Sequence, residues 1–406
     1  MTSTATRGRG FDPLDPELGR ADGPHRERFW PVLLALQRSS PVFRSDARGG
    51  FWAVTGFDNV NQAARDWETF TSAEGAEAVP LEAGETGFRL IPAEVDPPRH
   101  RELRKLLNPA FRIGAVHRYA AEFQRMADSL VDEFADRGAC DFVAEFAMPF
   151  PGEVFFRCFL GLDPERSLAV RRMVDSMLMD PANAAEAFTE FVPWCSEVVD
   201  ERRQAGPQGD VLDAIVDGVD SGLLDSTDQF SALLTIIGAG IETTAMGIGN
   251  IAMHLAADPA LRERLRGADL SQACSEFLRF EAPVPAMGRV ATRDVELGGQ
   301  LIKKGDRVVL YFGAANRDSR AWTDTDRIDI HRPDAERHLA FGTGPHRCLG
   351  LHVAQLELVT ATRTILERIP DLRLDPTNPI TWRTALTRGP AGLPVLFTPS
   401  GGERTG

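Results

Sequence analysis

The sequence predicts a mainly helical protein, and three observations support this prediction. Residues 230–256 carry a single formal charge, Glu242, and the polar residues 226–228 offer an N-cap for a long helix. A second helical pattern of apolar residues runs from 351 to 366. No Ser/Gly-rich or Pro-rich linker and no internal repeat divides the 406 residues. We therefore expect one large domain over residues 26–400.

Charge and cysteine usage narrow the class of protein. The formal net charge of −14 argues against a nucleic-acid-binding protein and favours a soluble one. The 5 cysteines show no pairing pattern, which suits the reducing cytoplasm. Residues 1–24 are polar and rich in glycine, proline and charge, unlike a signal peptide or a membrane anchor. We expect residues 1–25 to form a mobile N-terminal segment.

The apolar segment 230–256 also allows a membrane-spanning interpretation, because it is long enough to cross a bilayer. Glycines recur within it at 238, 240, 247 and 249, and the polar residues 242–244 lie at its centre. No basic or aromatic flanks mark membrane interfaces. A helix that is apolar on all sides can equally be the central helix of a large soluble protein, and we favour that interpretation.

One cysteine has unusual surroundings. Residues 341–350 read Phe-Gly-Thr-Gly-Pro-His-Arg-Cys-Leu-Gly, so Cys348 lies in a glycine-framed loop just before a predicted helix. A helix N-terminus stabilises a thiolate, and glycines let the backbone approach a flat ligand. The other cysteines lie in apolar, helix-like segments, and we expect them to be small buried hydrophobes: Cys140, Cys158, Cys195 and Cys274.

This loop resembles the haem-binding signature of the cytochrome P450 family, Phe-Gly-x-Gly-x-x-x-Cys-x-Gly. Phe341, Gly342, Gly344, Cys348 and Gly350 fill its fixed positions without a departure. The resemblance extends over residues 51–399. It implies the cytochrome P450 fold, which is mainly α with a smaller β region and a long central helix over the haem. It also implies that haem b is the cofactor and that the cysteine is the ligand of its iron.

The predicted central helix carries an acid next to an alcohol, Glu242 and Thr243. Taken alone, these residues fit an ordinary helix with a paired glutamate equally well. Beside the cysteine loop they match the family's acid–alcohol motif. The resemblance implies that Ala239 and Gly240 lie against the haem, that the threonine steadies bound dioxygen, and that the glutamate helps to deliver protons. The threonine hydroxyl can also bond back to a carbonyl one turn earlier.

Further positions match the family outside these two motifs. Cations or strong donors are needed for the two haem propionates, and the resemblance supplies His100, Arg104, Arg289 and His346. Glu276, Arg279 and Arg332 match a buried structural network that fixes the cysteine loop. For the first two of these, the sequence alone is equally compatible with an exposed i,i+3 ion pair.

The resemblance implies a haem-thiolate monooxygenase that hydroxylates a small hydrophobic substrate. Oxidative coupling or desaturation by the same cofactor is an alternative, and a non-catalytic haem sensor is another. No flavin or nicotinamide fingerprint is present, so we expect electrons from NAD(P)H to arrive through a separate ferredoxin reductase and ferredoxin. Six basic residues cluster near the haem-facing motifs and suggest a docking surface, the alternative being scattered surface charge: Arg99, Arg101, Arg104, Lys105, Arg112 and Arg347.

Family substrate contacts fall on a mostly apolar set here, which favours a compact hydrophobic substrate: Leu81, Phe88, Leu90, Thr235, Gly238, Val284, Met287, Leu386 and Pro390. Local similarity at residues 49–52 and 82–85 to terpenoid hydroxylases makes a terpenoid or another natural-product intermediate the candidate. Arg89 and Arg388 could bind a substrate carboxylate or could be solvated.

Overall fold

The computed structural model describes residues 10–12, 25–76, 89–179, 183–383 and 387–399. Helices make up most of this part of the chain, as the sequence predicted. The α-helices are α1 His25–Ser39, α2 Phe57–Arg65, α3 Arg99–Phe111, α4 Ile113–His117, α5 Ala120–Asp132, α6 Pro149–Val154, α7 Pro164–Met179, α8 Ala184–Ala205, α9 Val211–Asp220, α10 Ser226–Ala257, α11 Pro259–Leu265, α12 Leu270–Glu281, α13 Phe312–Ala315 and α14 Leu351–Arg368.

The β region is small. Its strands are β1 Val42–Ser45, β2 Phe51–Val54, β3 Phe70–Thr71, β4 Ala139–Asp141, β5 Met287–Ala291, β6 Val295–Leu297, β7 Gln300–Ile302, β8 Arg307–Leu310, β9 Arg373–Leu374, β10 Thr381–Arg383, β11 Gly389–Gly392 and β12 Pro394–Leu396. The largest sheet has the order β1-β2-β8-β5-β3, and β4-β12-β9 form a second sheet. Two hairpins complete the set, β6-β7 and β10-β11.

The apolar segment of the sequence forms α10, the longest helix described. Its N-cap is Asp225 rather than residues 226–228, because the Asp225 carboxylate accepts from the Asp228 backbone N–H and Asp228 reciprocates in a capping box. Asp258 is the C-cap of α10 and also caps α11, whose first residue is Pro259. Among the described residues, α10 alone is long and apolar enough to cross a bilayer. It packs against α6, α8, α12 and α14, so it is a core helix.

Two further expectations concern the cysteines and the N-terminal segment. The four other cysteines are buried, as expected, and burial raises the pKa of each thiol. Mobility of residues 1–25 stays a prediction, because most of them lie outside the described residues. Phe11, which is described, is 4% exposed and packs edge-on against Phe43 and Tyr311. An aromatic ring buried in this way ties that part of the segment to the largest sheet.

Candidate active site

The cysteine loop is folded back on itself and packed against α2. The backbone N–H of Cys348 donates to the Phe341 carbonyl over 2.8 Å, which closes the loop. Gly344 has φ +74°, and a Cβ on it would lie 2.6 Å from the Ala64 carbonyl oxygen. Glycine is therefore required at this position for two reasons, its backbone conformation and the close approach of α2.

The Cys348 thiol combines accessible surface with deep enclosure by protein. These two properties together place the thiol on an internal cavity. Burial raises its pKa, and the Gly350 N–H and the guanidinium groups of Arg104 and Arg347 offset only part of that effect. The Gly350 N–H at the start of α14 thus favours the thiolate, as the sequence analysis expected of a helix start, but burial has the larger effect on the pKa.

Four donors from distant parts of the chain cluster beside the loop. The rings of His100 and His346 lie 4.3 Å apart, and both Nδ1 of the first and Nε2 of the second are buried without a partner. Burial lowers the pKa of these imidazoles to about 4 and about 3 respectively. Arg289 on β5 is 4% exposed and its pKa is lowered to about 10, again by burial. Arg104, which also lowers both histidine pKa values, completes the cluster.

Such a cluster is costly without an anion, because buried donors that lack an acceptor lose their hydration. The described hydrogen bonds of Arg289 and Arg104 go to the Gly288 carbonyl, to Asn108 and to the Arg347 carbonyl. None of these acceptors carries a charge. The cluster therefore fits a negatively charged ligand group that enters the cavity.

The middle of α10 borders open space. Ala239 is exposed although Ile237 and Ile241 are buried, and a Cβ on Gly238 would meet nothing within 4 Å. The Thr243 hydroxyl donates to the Ala239 carbonyl over 2.7 Å, which is the back-bond that the sequence suggested. The helix continues without interruption through this bond. Small residues thus leave room for a flat group along this stretch of the helix.

Glu276, Arg279 and Arg332 form one buried network, so the exposed ion pair is excluded. Glu276 and Arg279 are fully buried, and Glu276 Oε2 lies 2.7 Å from Arg279 Nε and 2.9 Å from Arg332 Nε. The Arg279 guanidinium also donates to the Asn316 carbonyl, and the Asn316 side-chain oxygen accepts from the Leu339 N–H over 2.6 Å. The network therefore reaches the residue two positions before the cysteine loop.

The substrate positions predicted from the sequence separate into three groups. Those half-buried in the structure are Leu90, Thr235, Gly238, Val284 and Met287. Those outside the described residues are Leu81, Phe88 and Leu386, together with the similarity at residues 82–85. Pro390 packs against Gly249, ten residues beyond Ala239 and about 15 Å along α10. It therefore lies in the core and not at the open stretch of the helix.

The other substrate suggestions change as well. Arg388 is not solvated, since it is 9% exposed and its guanidinium lies 4.0 Å from the centre of the Phe29 ring. Arg89 is exposed. Trp52, within the terpenoid-like residues 49–52, lies in β2 and donates to Asp306, so that similarity belongs to the sheet.

Most of the predicted docking residues share one face next to the cysteine loop. An open cleft of about 460 Å³ is lined by Arg101, Arg104, Lys105 and Arg112 of the α3 region and by Pro345 of the loop. Arg347 is exposed beside it. Arg99 does not belong to this set, because Asp228 neutralises it in an ion pair.

Comparison with known proteins identifies the family. The family model for cytochrome P450 matches residues 270–380. The steroid C26-monooxygenase of Mycolicibacterium smegmatis is 33% identical over 402 residues, which cover 94% of this chain and 94% of that protein. The chain belongs to the cytochrome P450 family.

Further relatives agree. The 6-deoxyerythronolide B hydroxylase of Saccharopolyspora erythraea is 32% identical over 366 residues, 85% of this chain and 89% of that protein. The solved structure of cytochrome P450 CYP109Q5 from Chondromyces apiculatus superposes with a TM-score of 0.85 at 29% identity and covers 98% of this chain and 100% of its own. The chain is therefore an oxidoreductase that incorporates oxygen, and it has the cytochrome P450 fold.

Membership of the P450 family implies a haem-thiolate cofactor. The residues described above fit it. Cys348 presents its thiol to an enclosed cavity, and the unpartnered His100 Nδ1 and His346 Nε2 lie beside two arginines, where propionates need donors.

Two polar residues near the acid–alcohol pair were missed by the sequence analysis. Thr387 donates its hydroxyl to Glu242 Oε1 over 2.8 Å. Glu357 of α14 is 2% exposed, bonds to Thr244 and has a pKa raised well above its ordinary value by burial. Neither residue belongs to a sequence motif that would have indicated its contact with the acid–alcohol region.

Proposed function

We propose that this P450 hydroxylates a small hydrophobic natural-product intermediate, uses haem b, and takes electrons from a separate ferredoxin in the cytoplasm. The observation that supports this most directly is the enclosed Cys348 thiol beside a cluster of buried, anion-seeking donors. Helix α14 begins three residues after Cys348 and packs along α10. The thiol is thereby linked to the helix that carries Glu242 and Thr243.

Binding of the cofactor is assigned to named side chains. Cys348 would hold the iron, and His100, Arg104, Arg289 and His346 would neutralise the propionates. A Cβ on Gly350 would meet no protein atom within 4 Å, which leaves room for the ring beside the loop, and Gly238 and Ala239 leave space along α10, whereas Gly240 faces Phe155. When bound, the haem supplies the thiolate-ligated iron at which dioxygen is activated.

Proton movement is assigned to the acid–alcohol pair. The Thr243 hydroxyl donates to the Ala239 carbonyl and keeps its own oxygen free to accept from water or substrate. Glu242 is half-buried next to it, and its Oε1 accepts a hydrogen bond from the Thr387 hydroxyl, so a proton that Glu242 passes on would be replaced from solvent. The pair would hold and pass protons at the open stretch of α10.

The substrate class rests on the side chains of the described contact positions. Leu90, Val284 and Met287 are apolar and half-buried, and Thr235 adds one hydroxyl. Relatives are named for a steroid, for 6-deoxyerythronolide B and for nocardicin C. The apolar side chains at these positions fit a compact apolar molecule better than a charged one. Difference spectra across terpenes, steroids, macrolides and fatty acids would identify the class.

The absorption spectrum of the reduced protein with carbon monoxide tests whether Cys348 is the iron ligand. The reduced protein with carbon monoxide should absorb at the wavelength that gives the family its name, and Cys348→His should lose that band. Cys195→Ala, which removes a buried thiol from α8, should keep it. Retention of the band in Cys348→His would contradict the assigned iron ligand. Product formation with NADPH, ferredoxin and ferredoxin reductase then separates an enzyme from a haem sensor.

A further inference from the structure

The C-terminal segment contributes a side chain to the acid–alcohol pair. Thr387 is 2% exposed, and its hydroxyl donates to Glu242 Oε1 over 2.8 Å. The two residues are 145 positions apart in the sequence. Thr387 therefore joins the proposed proton path from an element outside α10.

The backbone around Thr387 is fixed to its surroundings. The Arg388 N–H donates to the Pro283 carbonyl over 2.8 Å, and the Arg388 carbonyl accepts from Asn250 Nδ2 over 3.1 Å. The next residue, Gly389, lies so close to α10 that a Cβ would come within 3.0 Å of Met246. The backbone that carries the Thr387 hydroxyl is therefore held in place. The Glu242 side chain has more rotatable bonds, so it adopts the conformation that accepts the hydrogen bond.

A hydroxyl that donates to a carboxylate favours one orientation of that carboxylate, because the charge-assisted bond is stronger than a neutral one. We propose that Thr387 is a positioning residue that holds the Glu242 carboxylate in the orientation from which Glu242 delivers protons. This inference rests on the proposed role of Glu242. Thr387 itself undergoes no net proton change, since each proton that Glu242 passes on is replaced from solvent.

A double-mutant cycle on the holoenzyme tests the inference. Thr387→Val keeps the shape and removes the hydroxyl, and it should lower the product formed per NADPH by roughly tenfold while raising the solvent deuterium isotope effect on kcat. In the Glu242→Gln background the same change should have no further effect. Thr387→Ser retains the hydroxyl and should form as much product per NADPH, the coupling, as the wild type does. Thr55→Val removes another buried hydroxyl, which donates to the Pro41 carbonyl, and should leave coupling unchanged.

Thermal unfolding of the ferric proteins gives a second measurement that does not depend on activity. The Tm shifts of Thr387→Val and Glu242→Gln should not add in the double variant, because both remove the same bond. Additive Tm shifts, or Thr387→Val losing coupling equally in both backgrounds, would overturn the inference. Normal coupling in Thr387→Val, with Glu242→Gln uncoupled, would overturn it and leave the role of Glu242 standing. Normal coupling in Glu242→Gln would contradict both the proton-delivery role of Glu242 and the positioning role of Thr387.

If Thr387→Val loses haem, the comparison of Thr387→Ser with Thr387→Ala still tests whether the hydroxyl is needed. Thr387→Ser with wild-type coupling and Tm supports the inference. Thr387→Ser that is as uncoupled as Thr387→Ala overturns it, because the hydroxyl would then be irrelevant.

Discussion

At the residue scale, the adjacent threonines Thr243 and Thr244 of α10 form hydrogen bonds with different groups. Successive side chains on a helix point about 100° apart, so neighbours cannot share a face. Thr243 bonds back to the Ala239 carbonyl at the open stretch, whereas Thr244 is 5% exposed and bonds to Glu357 of α14. One hydroxyl is therefore available to the proposed chemistry, and the other joins two core helices.

Thr243→Ala should keep haem and substrate binding but divert electrons into hydrogen peroxide, because the hydroxyl that can hold a proton at the open stretch is lost. The expected loss of product per NADPH is roughly a hundredfold or more. Peroxide and product are measured in the same reaction. Thr243→Ser, which retains the hydroxyl, should stay largely coupled. Equal coupling of the alanine variant and the wild type would remove Thr243 from the mechanism.

Glu357 makes the stability of the protein depend on pH. Its pKa is raised in the folded state, so above the ordinary value of 4.5 the folded protein holds a proton that the unfolded chain releases. The free energy of unfolding should therefore fall as pH rises from 4.5 toward the folded pKa. Glu357→Gln should remove that part of the decline, as measured by urea unfolding at about pH 5 and about pH 8.

The matched control for Glu357 is Glu296→Gln, since Glu296 is an exposed glutamate on β6. It should keep the pH profile of the wild type. Parallel profiles for Glu357→Gln and the wild type would contradict the expected neutral carboxyl group.

At the scale of elements, the cysteine loop packs against α2, and the glutamate–arginine network reaches the residues just before it. Gly344 sits where α2 leaves no room for a side chain, and Asn316 relays the network to Leu339 just before the loop. Breaking a buried charge network commonly costs about 3–5 kcal/mol. A network of this kind is better understood as fixing one loop conformation than as a source of stability.

Gly344→Ala should lower both haem content and Tm. Its φ of +74° costs alanine about 1–2 kcal/mol, and the new Cβ would also collide with the Ala64 carbonyl. Gly305→Ala is the matched control, because Gly305 has φ +85° but nothing within 4 Å. The difference between the two variants isolates the collision with α2. Equal haem content and Tm in both would show that the loop does not need this close approach.

At the scale of the whole molecule, charge is distributed unevenly. The chain carries a net charge of −14, yet Arg101, Lys105, Arg112 and Arg347 lie exposed on the face beside the cysteine loop. A basic face on an acidic protein steers an acidic partner to one orientation. This supports the proposed docking of a ferredoxin at that face.

Lys105→Glu and Arg112→Glu should raise the KM for ferredoxin by about tenfold with little change in substrate binding, because reversal repels an acidic partner. Rates with the wild type should fall as salt increases. Lys304→Glu reverses an exposed lysine between β7 and β8 and serves as the control. Salt-independent turnover, or equal effects of all three reversals, would contradict docking at this face. Turnover with NADPH alone would contradict a separate electron donor.

The sequence by itself determined the features that local spacing encodes. Cys348 with its glycines, the long apolar helix, the acid–alcohol pair and the Glu276–Arg279 spacing each occupy a short stretch of chain. Their residues act together because they are neighbours along the backbone. The fold and the family followed from these signals, and the comparisons confirmed both.

Only the tertiary structure decided which distant residues meet. The contacts of Thr387 with Glu242 and of Glu357 with Thr244, and the ion pair of Arg99 with Asp228, join segments more than a hundred residues apart. Burial excluded the solvated alternative for Arg388, which the sequence had left open beside a ligand-binding one. Burial and long-range contact depend on how helices and sheets pack, and a single sequence without its fold does not specify those distances.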